Sequence, residues 1–466
     1  MTASLRWIAL ILLAALLLAG CDNDAPADPD ATDPDTTDAM PADTVETNDV
    51  DAIESPEAAP DSDAPFERRG LDYVLTETDE QVVDGVGTLG FTLMNRIANI
   101  PSHAAGHLIS PYSIQLAFAM VLHGAEDETR AEMEEVMGLA NLDTEAALGS
   151  LSSLSAALEE LDEDVTLRMA NQIWYDAEAG VRDAFLDTNA SHFGMTPEAA
   201  DFSDQDALAD AINAWVSEQT EGRIDDIAQP PFARDLALML VNALYLDAAW
   251  TLPFDDAQTE ARRFTRADDS TVSVPMMRFD EQSEADGLDV IGHAQGDDYE
   301  AVSLYYGDAS FRMTLVQPDA DIALIDWLNA MDWATWQDLT ASLQNRTRVT
   351  LTMPTFEMEY AVEDFGEQMQ ALGMARAFTR DTAQFNIAEA PMYLAADATR
   401  HHTYIRVDET GTEAAAATAV GVGVTSMPRQ VEVVLDRPFF YVIHEEDSGL
   451  PLFMGTMMDP SEAAVQ

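Results

Sequence analysis

The side chains in this chain of 466 residues that could do covalent or metal chemistry are few, and their spacing suits neither. His444-Glu445 opens like a zinc-protease pair but lacks the second histidine, and there is no Gly-x-Ser-x-Gly elbow, phosphate-binding glycine loop or cysteine pair. His401 and His402 are adjacent, so on a strand their rings point to opposite faces and cannot share an ion. The aspartates near the N-terminus lack the turn glycine and closing glutamate of a calcium loop, and read as a solvated spacer. Cys21 is the sole cysteine, which excludes a disulfide within the chain. No enzyme, metal or cofactor is expected. Two oddities remain. Asn242 interrupts the apolar run Leu236 to Leu246, and burying its amide unpaired costs roughly 2–7 kcal/mol, so partners must come from elsewhere in the chain. From Thr412 to Val420 every side chain except Glu413 is small or β-branched, a stretch able to lie exposed or to slide into a tight groove; an Ala-rich helix is the competing reading.

The elements that hold these residues follow from periodicity. Gln81 to Ile100 carries Leu89, Leu93 and Ile97 on one helical face. Ser110 is a good N-cap, Pro111 suits a first turn, and Ile114, Ala117, Phe118 and Val121 continue that helix to Gly124. Further helices are expected around Ile212 to Gln219 and around Val362 to Leu372. Strands are expected at Leu167 to Tyr175, Leu236 to Leu246, Val349 to Met353, Leu435 to Ile443 and Leu452 to Met457, with a hairpin over Val302 to Gln317. The mixture is α+β, without internal repeats.

Several of these stretches resemble the serpin family. Glu409-Thr410-Gly411-Thr412-Glu413-Ala414-Ala415-Ala416-Ala417-Thr418 is similar to the proximal hinge of an inhibitory reactive-centre loop, and Asp436-Arg437-Pro438-Phe439 to the segment that re-enters the fold. Ser110-Pro111-Tyr112-Ser113, Ala170-Asn171, Val241-Asn242-Ala243-Leu244-Tyr245 and Leu372-Gly373-Met374 match along the same order. The resemblance implies three β-sheets packed with about nine helices and an exposed loop. It implies a shutter in which Asn242 meets Ser110, Ser113 and His401, and a packing tryptophan, Trp250, at the breach. It also implies inhibition of serine proteases: the loop is attacked as substrate, and from Thr412 onward it then inserts as a strand with Thr412, Ala414, Ala416 and Thr418 turned inward. The bait bond is expected at Thr425-Ser426, which suits elastase- or subtilisin-like enzymes. Met427 is disfavoured because Pro428 follows it. The alternatives are a non-inhibitory binding module of the same family and an envelope structural lipoprotein.

Composition bounds the setting. The chain has 22 basic residues, all arginine, against 86 acids, a net charge of −64. Fifteen acids lie between Asp22 and Pro65, and the remaining 71 against 21 arginines still leave −50, so the folded part shares the excess. That argues against a nucleic-acid partner and for a saline habitat, where molar salt shortens the Debye length to about 3 Å. Arg6, the apolar run Trp7 to Leu18 and Leu18-Ala19-Gly20-Cys21 resemble a bacterial lipoprotein signal, which implies a lipid anchor on Cys21 and an extracytoplasmic monomer. The expected organisation is a signal peptide over 1–21, an acidic disordered linker over 22–80 and the serpin-like domain over 81–466.

Overall fold

The computed structural model describes residues 69–100, 105–280, 291–345, 348–362, 365–395, 399–412 and 430–463. The expectations for Cys21, for Glu413 to Thr418 and for the Thr425-Ser426 bond lie outside the described residues. Among the described residues there are nine α-helices and sixteen strands. The strands are β1 (Gly106–Ile109), β2 (Val165–Asp176), β3 (Glu198–Ala200), β4 (Leu238–Ala249), β5 (Glu260–Thr265), β6 (Thr271–Asp280), β7 (Gly292–Gln295) and β8 (Tyr299–Tyr306). They continue as β9 (Phe311–Pro318), β10 (Arg348–Pro354), β11 (Phe356–Ala361), β12 (Thr399–Val407), β13 (Gly411–Thr412), β14 (Gln430–Val434), β15 (Phe439–Glu445) and β16 (Pro451–Met457). They form three sheets, ordered β1-β16-β15-β9-β8-β7, β14-β10-β6-β5 and β11-β12-β4-β2-β3, with β13 on β4 in the last. The expected α+β class and three-sheet architecture are met.

The first helix, Glu77–Ile97, starts four residues earlier than the apolar periodicity places it. Thr76 accepts the Asp79 N–H and the Asp79 carboxylate accepts the Thr76 N–H, while Glu77, Asp79 and Glu80 sit at the positive end of the helix dipole. These polar residues start the helix, but only the apolar stripe from Val82 is visible as a period. The helix Pro111–Leu122 forms as read: the Ser110 side chain accepts the Ser113 N–H at 3.2 Å, Pro111 occupies the first turn, and all twelve residues are buried.

Strand β4 is the centre of the third sheet and pairs with β2 from Tyr175↔Leu238 to Val165↔Ala248. Its continuous apolar run reflects burial on both faces. Leu240, Leu244, Leu246 and Ala248 join the main core, whereas Met239, Val241 and Ala243 pack under the helix Gln205–Gln219 with Ile212 and Val216. By this alternation Asn242 is on the main-core face, towards the helix that starts at Pro111.

Candidate functional site

The site begins where β12 ends. Asp408 N–H donates to Gly411 O at 2.9 Å, and the Asp408 carboxylate accepts from Thr410 N at 2.9 Å, from Thr410 Oγ1 at 2.6 Å and from Arg406 Nε at 3.1 Å. The chain therefore reverses within four residues, and Gly411 and Thr412 run back antiparallel to β4, opposite Ala249 and Ala248. Only glycine fits at 411: φ is +153°, and a Cβ there would lie 2.1 Å from the Ala248 carbonyl oxygen. Thr412 is 1 % exposed, and its hydroxyl meets Tyr306 Oη at 2.9 Å. Burial pushes the Tyr306 phenol pKa up, so it stays a neutral hydroxyl.

Trp250 closes this corner. Its N–H donates to Thr410 O and its indole Nε1–H to Asp408 O, both at 2.9 Å, and its ring stacks on Tyr306 with centroids 4.2 Å apart and planes 15° apart. Glu409 is held on both its backbone and side chain: its carbonyl accepts from Phe254 N at 2.8 Å and its carboxylate from the Thr259 hydroxyl. Glu409, Gly411, Thr412 and Trp250 are thus one contiguous unit.

Below it, β12 and β4 pair in parallel over three residues, Thr399↔Leu240 to His401↔Asn242. Between Asn242 and Ala248, no strand among the described residues pairs with β4 on the side facing β12. Among the described residues these two pairings are thus separated on β4 by five residues, Ala243 to Asp247, with Thr412 above them and the Asn242–His401 register below; this stretch is called the slot.

A polar row crosses the sheet at that lower edge. Asn171 of β2 is opposite Asn242, which is opposite His401. The Asn242 amide donates to Asn171 Oδ1, while Asn242 Oδ1 and Ser113 Oγ are buried without a hydrogen-bond partner. His401 Nε2 accepts the Ser110 N–H at 3.0 Å. Burial, and then neighbouring His402, hold the His401 pKa down at about 3, so the ring is neutral and Nε2 is free to accept. The expected contacts of Asn242 with both serines are therefore corrected. The Ser110 hydroxyl is spent on capping Ser113, and Asn242 turns to Asn171 across the antiparallel ladder.

A family model described as Serpin (serine protease inhibitor) matches residues 84–460. The chain is a serpin. Plasminogen activator inhibitor 1 from Neovison vison is 29 % identical over 355 residues, covering 76 % of this chain and 87 % of the relative. The native state of tengpin, a thermophilic serpin, superposes with a TM-score of 0.72 at 26 % identity, covering 83 % of this chain and 95 % of tengpin. Human thyroxine-binding globulin in complex with thyroxine reaches a TM-score of 0.72 at 23 % identity over 82 % of this chain and 99 % of that one, a likeness of fold. Serpins are generally protease inhibitors rather than enzymes, and some are non-inhibitory.

Two residues of this serpin's site escape a reading of the sequence. Tyr306 looks like one more aromatic of a hairpin strand, and only the corner formed by Trp250 and Gly411 shows that its hydroxyl is aimed at Thr412. Asn171 is visible as a polar interruption in β2, but its pairing with Asn242 depends on the β2–β4 register.

Proposed function

We propose that this serpin inhibits serine proteases as a suicide substrate, by inserting its cleaved loop between β4 and β12. One observation carries the reading: Gly411 and Thr412 already pair with β4 directly above Ala243–Asp247, the stretch between the β12 and β13 pairings of β4 among the described residues. Continuing that register would set Ala414, Ala416 and Thr418 opposite Leu246, Leu244 and Asn242, on the main-core face, where only small side chains pass. Glu413 would face Asp247 on the half-buried outer face. The hinge residues Ala415 and Ala417 would alternate outward with it. Asn171, Asn242, Ser110, Ser113 and His401 would then form the lower lock, which must part before a full strand enters. The native fold is on this account metastable, kept by a barrier.

The finer parts of the reading rest on sequence. Cleavage is placed at Thr425-Ser426, with elastase- or subtilisin-like targets and a monomeric inhibitor. A lipid on Cys21 would hold the protein outside the cytoplasm on a bacterial membrane, in salt. Incubation of the full chain with a panel of serine proteases tests the function. The expected product is an SDS-resistant covalent adduct and a released C-terminal peptide starting at Ser426. A peptide starting at Gln430 would refute the bond assignment, and cleavage by every protease without any adduct would favour a non-inhibitory binding module. Cys21→Ser is expected to shift the protein out of the membrane fraction; a variant still processed and still membrane-bound would refute the anchor.

A further inference from the structure

The segment ahead of the first helix is laced onto the molecule. In Arg69 to Leu75, Leu71, Tyr73 and Leu75 are partly buried against the main core while Asp72 and Val74 face outward, the alternation of an extended chain. Both backbone groups of Arg69 are used: its N–H donates to Asp308 O at 2.9 Å, and its carbonyl accepts from Ser310 Oγ at 3.0 Å. Leu71 N–H donates to the Asp447 carboxylate at 2.8 Å, and Tyr73 Oη to that of Asp79 at 2.8 Å. The segment thus crosses two neighbouring turns, β8–β9 and β15–β16, which are themselves joined by Glu446 N–H to Ser310 O at 3.0 Å.

The β8–β9 turn is the one that serves the hinge. It is tight, with Gly307 at φ +52° and a buried alanine, Ala309, at φ +61°, a left-handed conformation that a Cβ disfavours and that surrounding contacts must hold. On its other side Gly307 N–H donates to Ala249 O at 2.9 Å, Thr251 Oγ1 donates to Gly307 O at 2.8 Å, and Asp308 N–H donates to the Asp162 carboxylate at 2.8 Å, just ahead of β2. Tyr306, at its start, supplies the stack for Trp250 and the hydroxyl for Thr412. Hydrogen bonds on both sides of this one turn therefore link Arg69, through the turn's own backbone, to the top of β4 and to Thr412.

We propose that Arg69 to Leu75 is a strap that pins the Tyr306–Ser310 turn against the top of β2 and β4, and so delays entry of the loop into its slot. The inference rests on the insertion reading above. For the slot to widen, β4 and β2 must move away from β12, and the turn bonded to both must move or let go. A turn fixed on its far side by the strap resists that movement. Cutting or displacing the chain at Arg69 would release it.

The test uses Arg69→Pro and Ser310→Ala in the full chain, each removing one of the two bonds, alone and together, on the wild-type background and on one carrying Asp162→Ala and Thr251→Val, which cut the turn's side-chain bonds to the β2 and β4 side. The readout is the rate at which uncleaved protein loses adduct-forming capacity and becomes heat-resistant on incubation. Each variant is expected to accelerate this by roughly two- to tenfold, the span for one lost hydrogen bond, and to add clearly less on the Asp162→Ala/Thr251→Val background, where the turn no longer has its side-chain bonds to the start of β2 and the end of β4. Unchanged rates, or equal acceleration on both backgrounds, would overturn the strap and leave insertion standing. If loop cleavage of the wild type brings no heat resistance, insertion itself fails and the strap with it.

Discussion

Thr412 is the residue on which the account turns, because it is already inside. Its hydroxyl is paired, its side chain is buried, and its backbone is in the β4 ladder. Thr412→Arg would put a guanidinium against Tyr306 and Ala248 with no partner, a penalty of roughly several kcal/mol after relaxation. The hinge should leave the sheet, and the variant should be cut at the same bond yet lose at least about tenfold in adduct yield, since 1.4 kcal/mol is already a factor of ten. Glu413→Arg, directed outward by the continued register, should keep most of its yield. Gel quantification of adduct against cleaved product checks both, and equal loss would contradict alternate insertion. His401 makes a pH prediction. Its folded pKa is about 3, below the ordinary value of 6.5, because burial first and His402 second disfavour the charged ring. Above about pH 6.5 neither folded nor unfolded chain holds the proton, and the stability from this residue is full. As pH falls towards 3 only the unfolded chain binds it, so stability declines. Buried His123 and His444, both near 4, act in the same direction. His401→Gln, whose amide oxygen can still accept from Ser110, should lose less denaturation midpoint between pH 7.5 and 4.5 than the wild type. An identical loss would show that His401 does not contribute.

At the scale of elements, the two neighbours of β4 in the third sheet differ sharply in how much of it they pair with among the described residues. β2 and β4 share a ladder of eleven residue pairs, whereas β12 and β4 share three. The lower three are pinned by the Asn171–Asn242–His401 row, where a buried amide left unpaired costs about 1–3 kcal/mol. Asn171→Ala strands the Asn242 donor and should lower the native melting temperature by several degrees, read by calorimetry; no change would mean that the row is not a lock. Gly411→Val should expel the two-residue β13, since its side chain would meet the Ala248 carbonyl, and Trp250 fluorescence should report the loss of packing. An unchanged Trp250 spectrum would contradict the placement of the hinge. Much of this element was legible beforehand. The polar misfit Asn242, the cap at Ser110 and the small side chains after Gly411 are local signals, each with a local physical cause. What was not legible depends on register and third-party contacts: Asn242 turning to Asn171 rather than to the serines, Tyr306 receiving Thr412, and the first helix starting at a capping box ahead of its apolar stripe.

At the scale of the molecule, an all-arginine, strongly acidic chain implies self-repulsion that salt relieves, so the unfolding midpoint should rise between low and molar NaCl. A flat response would remove the argument for a saline habitat. The same molecule is proposed to store its inhibitory work in a sheet that the cleaved loop completes, and that completion should be visible as stability. The decisive measurement is thermal unfolding before and after a single cut between Glu413 and Arg429, with both fragments retained. The account predicts that the cut protein melts far above the intact one, because the loop completes the sheet between β4 and β12. An equal or lower melting temperature after cutting would contradict it.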